Sequence, residues 1–331
     1  MSYQYTNKYN ISLALTAFLM YDDYDHDSRP NAISATTLLK PIRQLVLIQQ
    51  NKQLKKTVDI SEFAASSMGS AIHDRCERAW TNLDNIAEAL KALGASDEAI
   101  STIKINPIKV NEGDIPVYVE QRTEKELLGF IIPGKFDLVL DGTLNDFKST
   151  SVWGYIFDSN AENYTIQGSI YRWLNPDKVT NPDYININFI FTDWSKMRAR
   201  QDSRGYPQQR VLTKKYPLWS MSATEDWIKH KLKIYTEHIE LSQDKLPKCT
   251  DKELWAGETV HKYYKNPANI TRATKNFKEH EYQEALDRKA SDNDVGIIKT
   301  VKGEIKACLY CPVVEICDQA KELVQTGRLT L

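Results

Sequence analysis

The stretch GKFDLVLDGTLNDFK, residues 134–148, decides how this chain is read. Two apolar-rich runs flank Asp141–Gly142, a pair that suits a tight hairpin turn because both positions tolerate positive φ. On a strand, successive side chains face opposite ways. Asp146 and Lys148 therefore share one face, and Phe147 points the other way, toward a core. The hairpin carries Asp137 back beside that pair. Two carboxylates held together repel unless a cation lies between them, and hard oxygen donors suit Mg²⁺ or Mn²⁺. Such an ion polarises a phosphoryl oxygen and acidifies a bound water, while a nearby amine stabilises developing negative charge. Two carboxylates and a lysine on neighbouring strands thus describe a site for phosphodiester hydrolysis. D-x-K alone fits a solvated surface hairpin equally well; G-x-x-D at hairpin distance turns the reading toward chemistry.

Working outward, residues 11–58 read as helical with a break at Arg29–Pro30–Asn31, followed by helices over 61–80 and 82–93. Short apolar runs at 117–119, 127–132, 135–140 and 144–148, punctuated by Pro133–Gly134 and Asp141–Gly142, predict an antiparallel meander. A helix is expected over 161–174, stopping before Pro176, then strands over 184–192 and 209–219. Ser222 and Glu225 have the spacing of a capping box opening a helix to about residue 241. Residues 245–278 read as irregular, and 279–290 as helix. This order predicts an α/β fold, a mixed central sheet flanked by helices. The expected division is a helical extension (1–60), a catalytic core (61–246) and a cysteine-rich metal region (247–331).

Three further residues join the acidic pair. His73 sits on the expected upstream helix among Gly69, Ala71 and Ile72, with Glu77 one turn on, and Gln167 and Tyr171 share a face of the 161–174 helix four residues apart. A helical histidine, asparagine-free of partners in sequence, is by itself more often a packed residue than a ligand. In the order His73, Asp137, Asp146-x-Lys148, Gln167-x-x-x-Tyr171, however, the set resembles the RecB-like branch of the PD-(D/E)XK nucleases, whose core is restriction-endonuclease-like. The resemblance implies that His73, Asp137 and Asp146 bind a catalytic Mg²⁺ or Mn²⁺, with the Phe147 carbonyl as a further ligand. It implies that Lys148 assists the attacking water and that Gln167 and Tyr171 support the site. Glu120, on the preceding strand, is either another acidic participant or a surface glutamate.

The chain carries five cysteines, Cys76, Cys249, Cys308, Cys311 and Cys317. An odd number with tight C-terminal clustering argues against a disulfide framework and for a metal site in a reducing, cytoplasmic setting. Cys308, Cys311 and Cys317 form C-x₂-C-x₅-C, and thiolates this close converge on one metal. A closed site needs a fourth ligand; Cys249 is the stronger candidate and Cys76 the other. C-x₂-C-x₅-C after such a core resembles the iron–sulfur nucleases, the AddB nuclease domain and the CRISPR-associated four-cysteine exonucleases. That implies a structural [4Fe–4S] cluster, with four-cysteine Zn²⁺ as the alternative. In those families the first cysteine precedes the core, and here none precedes His73.

Of 331 residues, 41% are hydrophobic and 26% charged, and the net charge is −1, ordinary for a globular chain large enough to form a core without disulfides. No run of 18 apolar residues suggests a membrane span, and Met1 to Tyr9 lack a secretory signal pattern. Lys196, Arg198, Arg200, Arg204, Arg210, Lys214 and Lys215 gather with Trp194 and Tyr206 in a stretch suited to tracking a phosphate backbone and stacking on bases. The expectation is therefore a metal-dependent DNA nuclease, an exonuclease on single strands or duplex ends, of a kind that suits a bacteriophage or a helicase-linked recombination role. The rival is an inactive nuclease-like protein that binds DNA or a partner and holds a structural zinc.

Overall fold

The computed structural model describes residues 2–22 and 27–331, apart from the side chains of Ser2 and Asn85. Residues 23–26, in the stretch expected to be helical, lie outside the described residues. The chain forms two compact units, Met1–Lys40 with Gln53–Lys233, and Pro41–Lys52 with Ile234–Leu331. This division departs from the expected one at 60 and 246. The helix Ile42–Gln50 explains part of the difference: it buries Ile42, Leu45, Val46 and Leu47, and Gln50 donates to the carbonyls of Ile239 and Leu241. The second boundary falls inside the helix Met221–His238.

The N-terminal segment is not all helical. Strand β1 (Ser2–Thr6) pairs in parallel with β2 (Lys55–Asp59). The Asp59 carboxylate ties that arrangement together by accepting from Thr6 Oγ1, the Lys8 amide and Ser61. Both strands are short and carry little apolar alternation, which is why periodicity misses them.

The first unit is built on a six-stranded mixed sheet in chain order: β3 (Ile103–Ile105), β4 (Ile115–Leu127), β5 (Phe130–Leu140), β6 (Thr143–Thr150), β7 (Tyr184–Phe191) and β8 (Val211–Pro217). Strands β4, β5 and β6 make the antiparallel meander, and β6 pairs in parallel with β7. A parallel pair needs a crossover, here carried by the helix Ala161–Leu174, which packs on β5, β7 and β8. The helix Ala64–Thr81 packs on β4 and β6. The unit is thus α/β, a mixed sheet flanked by helices.

Two local expectations are corrected. Pro133–Gly134 does not break the strand; β5 runs through it, with Pro133 opposite Glu124. On its other side β5 pairs with β6 only over Leu138–Leu140, so the missing proline N–H costs no ladder bond. Ser222 is not the cap of the Met221–His238 helix. Ser220 Oγ accepts the Ala223 amide instead, and Glu225 pairs with Lys229 and accepts from Trp173.

The second unit contains a three-stranded antiparallel sheet, ordered β10 (Lys275–Lys278), β9 (Val260–Tyr264), β11 (Ile297–Val301). Residues 245–278 are therefore not wholly irregular; lysines alternate through these strands and mask the apolar period. Tyr263, Phe277 and Ala285 form its core, Ala285 coming from the helix Tyr282–Ser291. Two 3₁₀ turns, Ala307–Tyr310 and Val314–Ile316, precede a final helix, Asp318–Gln325. No helix among the described residues is long and apolar enough to cross a membrane.

Candidate metal and active site

The acidic site grows out of one interruption in the β4–β5 ladder. Glu120 lies between the Val119–Leu138 and Gln121–Phe136 pairs, opposite Asp137. Its φ of 50° is in the left-handed region, where a non-glycine residue stores roughly 1–3 kcal/mol of strain and occurs disproportionately at functional sites. The β5–β6 ladder ends at Leu138–Asn145. One residue further on, the Phe147 amide donates to Asp137 Oδ2 at 2.8 Å. A side chain thus replaces a backbone acceptor, and the carboxylate is held against β6. Phe147 packs its ring on Val117, Val119 and Leu138, as the alternation requires.

His73 enters from the Ala64–Thr81 helix, with Nδ1 3.3 Å from Asp137 Oδ2. Ligand atoms of His73, Glu120 and Asp137 all lie within 4.8 Å of one another. Asp146 is 2% exposed. Its Oδ1 accepts from Gln167 Nε2 at 2.9 Å, and the same amide donates to the Tyr171 hydroxyl at 3.1 Å. Its Oδ2 makes no well-formed hydrogen bond but faces Lys148 Nζ at 2.6 Å. His73, Glu120, Asp137, Asp146, Lys148, Gln167 and Tyr171 all line one cleft of about 740 Å³ in the first unit.

Glycines allow the helix on β5 and β7 to come this close. A Cβ on Gly134 would stand 2.5 Å from Leu174 Cδ1 and 3.3 Å from the Tyr171 ring. One on Gly168 would stand 2.8 Å from both Ile185 Cγ2 and Leu218 Cδ2. The first glycine of G-x-x-D therefore has a packing reason, since it seats the helix that carries Gln167 and Tyr171.

The charges are strongly coupled. Burial pushes the Asp146 carboxyl up to about 6, with the Asp137 charge adding to the rise and Lys148 opposing it. Burial also works against Asp137, but the His73 hydrogen bond, the His73 and Lys148 charges and the Phe147 amide outweigh it and hold its carboxyl low. Burial raises Glu120, with Lys135 opposing. Its hydrogen bond with Asp137 raises His73. Lys148 is raised: burial works against its charge, and Asp146 and Asp137 outweigh that. The cleft therefore concentrates negative charge in a poorly solvated place, the condition that a divalent cation relieves.

Sequence reading missed Lys135, whose Nζ is 2.6 Å from Glu120 Oε2, and Arg122, which pairs with Asp27 at 2.8 Å; all line the cleft. A signal for Lys135 was present: it lies two residues before Asp137 on one strand and shares its face.

In the second unit, Cys249, Cys308, Cys311 and Cys317 lie near enough to bear on one another's charge, but no three of their sulfurs lie within 4.8 Å of one another. Burial pushes the Cys249 thiol up to about 12, with Glu253, Cys317, Cys311 and Cys308 adding to the rise. Burial pushes Cys308 up to about 11, with Cys311 and Cys317 adding to it. Cys311 and Cys317 thus oppose the ionisation of both Cys249 and Cys308. Gln319 clamps the Cys249 backbone, accepting from its amide at 2.8 Å and donating to its carbonyl at 2.9 Å. Cys76 belongs to the first unit, on the helix of His73, where burial and then the Asp137 charge raise its thiol.

The basic stretch is only partly as expected. Tyr206 is buried, with its hydroxyl accepting from the Ser195 amide, so it offers no face for base stacking. Lys214 pairs with Asp158 at 2.6 Å, Lys215 lies over the Tyr184 ring at 3.9 Å, and Arg210 covers Trp194 at 5.8 Å. Lys196, Arg198, Arg200 and Arg204 remain exposed.

No family model matches the chain, and no curated protein matches its sequence. Among solved structures, the crystal structure of SSO0001 overlaps it with a TM-score of 0.36 and 14% identity, over 63% of this chain and 79% of that one. An overlap of that size decides neither fold family nor activity.

Proposed function

We propose that this protein is a divalent-metal-dependent DNA nuclease of the RecB-like PD-(D/E)XK type, an exonuclease acting on DNA ends or single strands. The observation that supports it is the meeting of His73, Asp137, Asp146 and Lys148 in one cleft, with Glu120 opposite Asp137. An imidazole and several carboxylate oxygens suit Mg²⁺ or Mn²⁺, and a buried Asp146 Oδ2 lacking a well-formed hydrogen bond is a ready acceptor for a cation. Bound there, such an ion supplies Lewis acidity and an acidified water.

The chain's own residues do the rest. His73, Asp137 and Asp146, with Glu120 and the Phe147 carbonyl, form the ligand set. Gln167 and Tyr171 lock the Asp146 carboxylate by the hydrogen bonds described above, the positioning on which metal sites depend. Lys148, held charged by Asp146 and Asp137, keeps positive charge where the attacked phosphate gains negative charge. In hydrolysis, water oxygen bonds to phosphorus, the phosphorus–oxygen ester bond breaks, and the leaving oxygen takes up a proton. The exposed Lys196, Arg198, Arg200 and Arg204 provide backbone contacts to DNA.

Cys249, Cys308, Cys311 and Cys317 hold a second, structural metal centre in this reading, a [4Fe–4S] cluster, with Zn²⁺ the alternative. The Cys249 and Cys308 thiols, raised by burial, become thiolates in this reading only with a cation to compensate them. A brown protein absorbing near ~400 nm identifies iron over zinc.

End-labelled linear and closed-circular DNA, single- and double-stranded, incubated with Mg²⁺, Mn²⁺ or EDTA tests the activity. The expected result is degradation of linear DNA from its ends with either ion, none in EDTA, and intact circles. Nicked circles change the mode to endonuclease. No cleavage with either ion leaves a protein that binds DNA or a partner without cutting.

A further inference from the structure

Arg43 is 4% exposed in the second unit, in the first turn of the helix Ile42–Gln50. Its guanidinium donates through Nε to Cys317 Sγ at 3.3 Å, through Nη1 to the carbonyls of Gln243 at 3.0 Å and Leu246 at 3.3 Å, and through Nη2 to Gln243 Oε1 at 3.4 Å. Among the described residues, no carboxylate lies within ion-pair distance of it. Of the acids nearby, Asp318 is paired with Lys321, and Glu322, which feels the Arg43 charge from beyond contact distance, is exposed and paired with Lys248. A guanidinium cannot shed its proton, and burying such a charge with only a distant, solvent-exposed counter-charge is unfavourable. Carbonyls and an amide satisfy its hydrogens but not its charge.

We infer that Arg43 is the counter-charge of a thiolate-bound metal centre formed by Cys249, Cys308, Cys311 and Cys317, an inference that rests on reading those four cysteines as one centre. Neutral thiols would leave the guanidinium only that distant counter-charge. Four thiolates carry four negative charges, and either a 2+ cluster core or Zn²⁺ leaves a net charge of about −2 on the centre. The arginine fork places a positive charge and an N–H directly on one of its sulfurs. N–H bonds to cluster sulfurs withdraw electron density and move a reduction potential upward; around zinc they weaken the pull of competing protons on the thiolate. Arg43 also positions its sulfur. Gln243, which accepts from Arg43, accepts the Asp318 amide and donates to the Ile316 carbonyl. The residues on both sides of Cys317 are therefore held by the side chain that touches the guanidinium. Charge, not packing, is the function assigned: Arg43 is a positioning and tuning residue, and it is not a ligand.

The full chain and its Arg43→Met, Arg43→Lys and Gln243→Leu variants separate these roles. Metal content is measured first. A wild-type protein that purifies without iron or zinc, and takes up neither on anaerobic reconstitution, overturns the reading of the cysteines themselves. A wild type that holds its metal leaves the role of Arg43 to the variants. Arg43→Met is expected to release metal to a chelator about 10–100 times faster, the usual cost of losing an outer-shell partner, and for an iron–sulfur centre to show a more negative reduction potential. Arg43→Lys, which keeps the charge, restores most of the potential but not the slow release. Gln243→Leu disturbs the packing while leaving charge on the sulfur, and its potential stays at the wild-type value. If Arg43→Met fails to fold, Arg43→Gln, which keeps hydrogen-bonding groups and removes the charge, takes its place. Wild-type release rates and potential in the charge-removing variant, or a potential shift in Gln243→Leu as large as in that variant, overturn the inference.

Discussion

The two groups of metal-suited side chains on this chain are built in opposite ways. In the acidic cleft, each group comes from a different element: His73 from a helix, Glu120 from β4, Asp137 from β5, Asp146 and Lys148 from β6. In the thiol region, three of four sulfurs lie within ten residues, on 3₁₀ turns with few regular hydrogen bonds of their own. The cleft is held by the sheet, whose ladder and side-chain bonds exist without an ion. The thiol region leans on a buried arginine, a glutamine clamp and, in our account, the metal itself. Where a rigid scaffold supplies the geometry, losing an ion stops chemistry and leaves the fold. Where short turns supply it, losing the ion loosens the unit.

That contrast can be broken most sharply at Asp146. Asp146→Ala should lower cleavage by about 10²–10³-fold while far-UV circular dichroism and the melting profile stay near wild type; unchanged activity means the cleft is not the reaction site. Lys148→Met should cost about 10²-fold in turnover in a single-turnover assay, with Mn²⁺ affinity retained, since the amine carries no metal. Gln167→Leu should lower Mn²⁺ affinity about 10–100-fold by freeing the Asp146 rotamer, read by calorimetric titration.

Metal affinity should also follow pH. Asp146, pushed up to about 6, must be deprotonated to bind a cation. Affinity is therefore full above that value and falls by up to about tenfold per pH unit below it. In the thiol region the signs reverse toward stability. Cys317→Ser should remove the metal and lower the melting temperature of its unit by about 5 °C or more, followed by calorimetry, where Asp146→Ala does not. The smallest effect belongs to Gly134→Ala, whose methyl must displace Leu174 and crowd Tyr171. It should destabilise by about 1–3 kcal/mol in denaturant unfolding.

Much of the cleft was legible because it depends on local pattern. The Asp141–Gly142 turn fixes which residues face each other on β5 and β6, and period-two alternation then places Asp146 with Lys148. The helix 161–174 was bounded by Pro176 and its own period, which put Gln167 and Tyr171 on one face. Glu120 was only half legible. Its strand was expected, but its left-handed backbone opposite Asp137 has no sequence signature in a non-glycine residue. β5 running through Pro133 depends on β6 stopping short, a fact of pairing that lies outside the strand itself. β9 and β10 were hidden by lysines on their exposed faces. Arg43 was invisible for a different reason: its partner Cys317 lies 274 residues away, and no local period connects a surface-typical residue type to a distant sulfur.

Crystals grown with Mn²⁺ and examined by anomalous diffraction test the central claim most directly. The account predicts an anomalous peak in the first-unit cleft, at coordination distance (about 2.2 Å) from oxygens of Asp137 and Asp146 and with His73 in its shell, absent in Asp146→Ala. A protein saturated with Mn²⁺ that shows no peak there, or shows it unchanged in Asp146→Ala, contradicts it.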